Sequence, residues 1–247
     1  MRQSSAVRAV TRSMPPSAVP RQTEAAPAIA GARVFVVDDD ASVHKSLARL
    51  LTSVGYKVQT FESARAFLAR PQTPPEGPQC LILDIRMPGL SGLDLQTSLR
   101  SSGAHIPIVF STGFGDVASS VRAMKIGAVD FLTKPIDEEE LLAAVERGLA
   151  LDAKMRRLDA LMNTLTTRQA RLTPRENQVF ALVVTGMLNK QIAARLGTCE
   201  RTIKVHRARI MKKMEAGSVA DLVRMADRLG LSATPPSAAE GHRMALT

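Results

Sequence analysis

Four places in the first half of the chain put chemically useful side chains directly after an apolar run. Asp84 closes the run at residues 80–83, and Met87, Pro88 and Gly89 then interrupt the pattern. Asp38 and Asp39 follow residues 33–37, Ser111 and Thr112 follow 106–110, and Lys134 follows 129–133. A strand buried on both faces reads as a near-continuous apolar run, the habit of parallel sheets. A single polar strand end means little, because many strands simply stop on a turn residue facing water. Four on parallel strands share one sheet edge, where open α/β sheets keep their ligands. Three carboxylates brought together repel, and one takes up a proton unless a cation joins them. A hard divalent ion with oxygen ligands, Mg²⁺ most naturally, meets that need. Lys134 adds a compact positive charge. A carboxylate nucleophile, a charge-neutralising metal, a lysine and a hydroxyl together suit an incoming phosphoryl group.

The elements that must position these groups alternate. Residues 33–37 read as a strand, and 41–54 as a helix with Val43, Leu47, Leu50, Leu51 and Val54 on one face. Residues 56–61 alternate like a half-exposed strand, 62–70 form a short helix, and 71–78 a loop. The strand ending at Asp84 precedes a helix over 92–100. A fourth strand spans 106–113, a helix 116–126 and a fifth strand 129–135; Asp137 then caps a helix running past residue 150. Strand and helix alternating five times predict a doubly wound parallel α/β domain over residues 32–150.

Charge divides the chain. Residues 32–151 hold 12 basic and 14 acidic side chains, whereas residues 152–247 hold 17 basic and 8 acidic. Only the second half is therefore expected to meet nucleic acid. Cys80 and Cys199 fall in different halves with no metal-ligand spacing, as free thiols of a cytoplasmic protein would. No apolar run has the length of a membrane span. Residues 1–31 and 232–247 are rich in Ala, Pro and Ser and predict disordered tails. The first tail holds four Arg and reads either as a basic arm or as an overlong start.

Leu151, Met155, Leu158, Met162 and Leu165 are spaced like a coiled-coil seam about two heptads long. This linker helix, over 151–170, either pairs with a second copy or rests on its own domains. Thr173, Pro174 and Glu176 form a helix start with a capping box. A short helix over 189–196, a Gly197 turn and a helix over 200–214 follow, with a last helix over 218–230. The helix at 200–214 buries Ile203, Ile210, Met211 and Met214. Its other face carries Arg201, Lys204, His206, Arg207, Arg209, Lys212 and Lys213. These are the parts of a helix-turn-helix within an all-α four-helix domain over 171–231.

Residues 32–150 resemble the receiver domain of two-component response regulators, through Asp38-Asp39, the stretch from Asp84 to Pro88, Thr112-Gly113, and Phe131 to Pro135. The fold implied is flavodoxin-like. The resemblance implies that Asp84 accepts a phosphoryl group from a sensor histidine kinase. Asp39, Asp84 and the Arg86 backbone carbonyl would bind Mg²⁺, with Asp38 acting through water. Thr112 and Lys134 would hold phosphoryl oxygens, Phe131 would be the aromatic switch, and a cis bond would precede Pro135. Segments 172–176, 186–193 and 201–206 resemble the LuxR-type helix-turn-helix, and residues 205–214 and 222–226 its FixJ-type subgroup. The implied DNA contacts are Asn189, Lys190, Arg201, Thr202, Lys204, Val205, His206, Arg207, Arg209 and Lys213. The chain departs from the family at Thr198-Cys199, where Ile-Ser is usual. Losing a Ser cap costs ~1 kcal/mol, so Thr198 is expected to cap one residue early.

Together these features predict a response regulator that dimerises on phosphorylation, binds double-stranded DNA and engages RNA polymerase, with no membrane partner. It would not be an enzyme. The alternatives are a Mg²⁺-dependent aspartyl-phosphate phosphatase and an RNA-binding antiterminator. Phe114, two residues after Thr112, has no group to orient water, and Arg86 can reach a phosphoryl oxygen; slow loss of the phosphoryl group is expected.

Overall fold

The computed structural model describes residues 31–71, 76–113 and 126–231. Residues 116–125 of the helix expected over 116–126, Phe114, and residues 1–30 and 232–247 of the tails lie outside the described residues. The chain runs β1 (Arg33–Val37), α1 (Ala41–Ser53), β2 (Lys57–Phe61), α2 (Ala64–Leu68), β3 (Gln79–Asp84), α3 (Gly92–Ser101), β4 (Ile108–Gly113) and β5 (Asp130–Lys134). The strands form one parallel sheet in the order β2-β1-β3-β4-β5. The chain leaves β1 toward β2 and returns across it to β3. The order therefore reverses between β1 and β3, the strands that end beside Asp38 and Asp84.

Side chains alternate across the sheet. Val34, Val36, Cys80 and Ile82 pack with Leu47 and Leu51 of α1, and with Leu141, Val145 and Leu149 of the helix after β5. Phe35, Val37, Leu81 and Leu83 pack on the other face with Phe67, Leu95 and Leu99. Both faces are thus covered. Small boundary differences have local causes. The Tyr56 N–H donates to Leu51 O at 3.1 Å, so it completes the turn after α1 and β2 starts at Lys57. Pro107 has no N–H to give the ladder, and β4 starts at Ile108.

The helix capped by Asp137 does not stop at the end of the α/β domain. α4 (Glu138–Ala170) is one helix of 33 residues. Its first part buries Leu141, Ala144, Val145, Gly148 and Leu149 against the sheet. Then Asp152, itself buried, accepts a hydrogen bond from Gln79 N at 2.8 Å and pairs with Arg156. The seam read from the sequence divides. Leu151 and Met155 border a cleft with Ile106 and Ile108, Leu165 is buried, and Leu158 is left 53% exposed. The all-α unit follows as α5 (Pro174–Val184), α6 (Asn189–Arg195), α7 (Glu200–Met214) and α8 (Val219–Arg228). Val179, Phe180, Ile192, Ile203, Ile210, Met214 and Leu222 form its core.

Gly148 sets how closely α4 lies on β3. A Cβ there would sit 2.7 Å from Cys80 Sγ, which is fully buried and has one χ angle with which to move. Burial pushes the Cys80 thiol up to about 12, so it packs as a small apolar group. Gly148→Ala gains roughly 1 kcal/mol of helix propensity but overpacks the core at a cost of about 1–3 kcal/mol. The substitution should destabilise the wild-type chain in urea unfolding, yet stabilise a Cys80→Ala background by about 1 kcal/mol, where only the propensity term remains. The same sign in both backgrounds would refute the contact as the limiting one.

Candidate functional site

β1, β3, β4 and β5 end along one edge, and their registers align the groups. Asp84 lies opposite Ser111, Thr112 opposite Thr133, and Gly113 opposite Lys134. Oxygens of Asp38, Asp39 and Asp84 all lie within 4.8 Å of one another. Asp38 and Asp84 are 1% and 5% exposed, while Asp39 faces solvent. Lys134 Nζ lies 2.6 Å from Asp38 Oδ2 and 3.4 Å from Asp84 Oδ2. Asp38 Oδ1 accepts from Asp40 N at 3.0 Å, and Asp40 caps α1 through Ser42 N. The turn after β1 therefore holds one carboxylate inward and spends another on the helix.

Burial pushes the Asp84 carboxyl up from the usual carboxylate range. Lys134 opposes that shift, and the charge on Asp38 adds to it. Burial works against the charge of Lys134, but the hydrogen bonds and charges of Asp38 and Asp84 outweigh it and hold that amine above its usual range. The Arg86 N–H favours ionised Asp84 only weakly, and Asp84 Oδ1 is buried without a full hydrogen bond among the described residues. A buried carboxylate oxygen of this kind is costly. With Asp38 and Asp39 alongside, it makes a hard oxygen donor set that fits Mg²⁺.

Thr112 is buried, and its Oγ1 lies a long 3.5 Å from Gly113 O, so it is free to take a better partner. Ser111 Oγ is buried and unpaired among the described residues. Phe131 is half-buried beside the second core face, and the Lys134–Pro135 bond is cis. Gly92, at the start of α3, had no role in the sequence reading. A Cβ there would stand 2.2 Å from the backbone oxygen of Asp84. Only glycine lets α3 start so close to the strand end that carries Asp84.

In the second unit, Thr173 and Glu176 form the expected capping box. Glu176 is also buried and accepts from Lys213 Nζ at 2.6 Å. Lys213, expected at DNA, thus has a partner within its own domain. Arg207 Nη1 donates to Asn189 Oδ1 at 3.0 Å and ties α6 to α7, so two more expected contacts also brace the motif. Lys190, Arg201, Lys204, Val205 and Arg209 are exposed; Thr202 and His206 are half-buried on the same helix. The Thr198 expectation fails. Cys199 holds the cap position with extended backbone and makes no side-chain cap bond, while its Sγ lies 3.2 Å from Thr202 Oγ1. α7 starts without the usual cap because its backbone geometry already places residue 199 there. Among the described residues, no helix is long and apolar enough to cross a membrane.

Residues 34–146 match the response regulator receiver domain family, and residues 170–226 match the luxR family of bacterial regulatory proteins. The chain belongs to the response regulators that join a receiver to a LuxR-type DNA-binding domain, the FixJ-like transcriptional regulators. It is 51% identical over 200 residues to nodulation protein W of Bradyrhizobium diazoefficiens, covering 81% of this chain and 87% of that protein. The solved structure of response regulator StyR is 47% identical and superposes with a TM-score of 0.73, covering 81% of this chain and all of that one. Full-length FixJ from B. japonicum is 40% identical with a TM-score of 0.50, covering 83% and 99%.

The acidic edge makes a prediction. An acid whose pKa is raised by folding holds its proton more tightly folded than unfolded. Its ionisation destabilises the fold above the raised pKa, and the penalty fades as pH falls through it. Without metal, Asp84→Asn should raise Tm near neutral pH, and the gain should vanish below the ordinary carboxylate range. Millimolar Mg²⁺ should stabilise the wild type more than the variant. Calorimetry showing the variant less stable than wild type in metal-free neutral buffer would contradict this account.

Proposed function

We propose that this response regulator is switched by phosphorylation of Asp84 and controls transcription as a dimer on DNA. The observation that carries the reading is the buried Asp84 carboxylate beside Asp38 and Lys134, with Oδ1 lacking a full hydrogen bond among the described residues. An oxygen of Asp84 attacks the phosphorus of a phosphohistidine on a sensor kinase. A P–O bond forms as the P–N bond breaks, and the imidazole leaves as a neutral base after taking up a proton. Asp38, Asp39, Asp84 and the Arg86 carbonyl would hold Mg²⁺, Asp38 through water. The ion supplies charge neutralisation for the phosphoryl oxygens. Lys134 trades its contact with Asp84 for a phosphoryl oxygen, and the Thr112 hydroxyl turns to another. Thr112 moving leaves room for Phe131 to pack inward, which changes the β5 face and favours pairing of two receivers.

Two basic helices then meet a two-fold site, with α7 in the major groove. Arg201, Thr202, Lys204, Val205 and His206 face base edges, while Lys190 and Arg209 hold phosphates. Asn189 and Arg207 keep α6 and α7 in register, and Lys213 supports α5 as well as the backbone of the site. RNA polymerase is the downstream partner, and the cytoplasm the compartment. The basic second domain supports this reading over a phosphatase, which has no use for it.

Labelled acetyl phosphate with Mg²⁺ should mark the wild type and not Asp84→Asn, and only the labelled protein should protect an operator fragment selected from genomic DNA. Equal labelling of both would sink Asp84 as acceptor; stronger binding to the matching RNA would favour the antiterminator. Dimerisation has its own check. If α4 helps pair the chains, Leu158→Lys should weaken the phosphorylated dimer about tenfold or more in sedimentation, whereas an unchanged dimer would leave α4 as a spacer.

A further inference from the structure

At the edge of the sheet opposite Asp84 lies a cavity of about 420 Å³. Arg33 and Gln79 line it from the early ends of β1 and β3, where they are paired, and Gln59 from the middle of β2, where it is paired with Phe35. Arg70 enters from the end of α2, His105 from the turn before β4, and Arg156 from α4. Among the described residues, three guanidinium groups and an imidazole thus line one hollow, and no carboxylate does. The domain as a whole is slightly acidic, so this is a local concentration of charge. It is not a consequence of composition.

Each arginine is held differently. Arg70 stacks on Phe67 at 3.7 Å from the ring centroid and on Phe35 at 5.1 Å, and its Nη1 donates to Phe67 O at 2.8 Å. Those contacts orient the fork, and among the described residues no carboxylate pairs with it; burial pulls its pKa down from the usual value. Arg156 pairs with Asp152, whose Oδ2 also accepts from Gln79 N. The Arg33 side chain has no ion pair or hydrogen bond among the described residues. Like charges around one hollow repel, and forks presented together match phosphate or carboxylate oxygens two at a time. The volume falls within the usual range for a small-molecule pocket.

We infer that this cavity binds a compact small-molecule anion carrying at least two negative charges, a phosphate ester or a polycarboxylate. Such a ligand touches the receiver through Arg33, Arg70 and His105, and the linker helix through Arg156. It therefore spans the joint at which α4 leaves the sheet. The site is independent of phosphorylation at Asp84 and lies away from the DNA-facing helix.

Calorimetric titration of the full chain in EDTA at low salt, with pyrophosphate and separately with citrate, tests this. EDTA removes any metal-assisted binding at Asp84. At least one anion should bind with Kd below about 1 mM. Arg33→Gln should weaken it roughly tenfold or more, the loss of a charge-assisted contact, as should Arg156→Gln. The Arg33 side chain makes no hydrogen bond or ion pair among the described residues, so its variant separates lost binding from lost structure. Lys204→Gln with Arg209→Gln, on the DNA face, should leave the affinity unchanged. Binding of pyrophosphate alone assigns a phosphate ligand, of citrate alone a carboxylate, and of both a site that reads charge. The inference is overturned if neither anion binds below about 1 mM. It is also overturned if Arg33→Gln binds like wild type, or if only the DNA-face variant loses affinity.

Discussion

Like charges held close at one edge of a sheet are the constraint to which much of the first domain answers. Asp38 and Asp84 are both buried and both acidic, and Lys134 alone cannot satisfy them. The fold supports that arrangement with ordinary parts. Parallel pairing brings three strand ends to Asp84, Asp40 caps α1 while Asp38 turns inward, and Gly92 lets α3 begin against the Asp84 carbonyl. A site built this way is poised: it gains from any added positive charge, and the proposed phosphoryl group, arriving with a cation, would change the balance of every contact in it.

The second half of the chain uses charge in the opposite manner. Its basic residues divide between an open face and internal bracing. Glu176 shows the economy of this arrangement. Its Oε2 alone accepts from the Thr173 N–H that closes the helix cap and from Lys213 Nζ, so one buried carboxylate joins the first and third helices of the domain. The Asn189–Arg207 bond does the same between the two helices of the motif. A positive face can then be presented without the repulsion loosening the helices that carry it.

Most of the fold was legible in the sequence because its signals are local. Apolar runs stopped by polar residues marked the strands, the 3.6-residue period marked the helices, and Thr173 with Glu176 marked a cap. The acidic edge was legible too, since a doubly wound sheet places strand ends together whatever their separation in sequence. What escaped depends on contacts with no local pattern. Asp152 reaches back to Gln79, Arg156 and Arg33 meet at one hollow, and Gly92 and Gly148 matter only for what lies opposite them. The split of the apolar seam was hidden for a related reason. Heptad spacing says which residues share a face, but not that Leu165 finds cover within its own chain while Leu158 does not.

The end of α4 carries a mechanical meaning. Arg168, in its last turn, donates to Met214 O at 3.3 Å and pairs with Glu215, closing the exposed carbonyl end of α7. A cation there also suits the helix dipole. One lever about 50 Å long, from its 33 residues at 1.5 Å each, is thereby pinned to the sheet at one end and to the recognition helix at the other. A tilt of about 5° at the sheet swings the far end by roughly 4 Å, a sizeable part of a major groove about 12 Å wide. With α7 in the major groove, as proposed, movements too small to alter the fold of either domain would be large enough to decide whether it meets the groove squarely or strikes its wall.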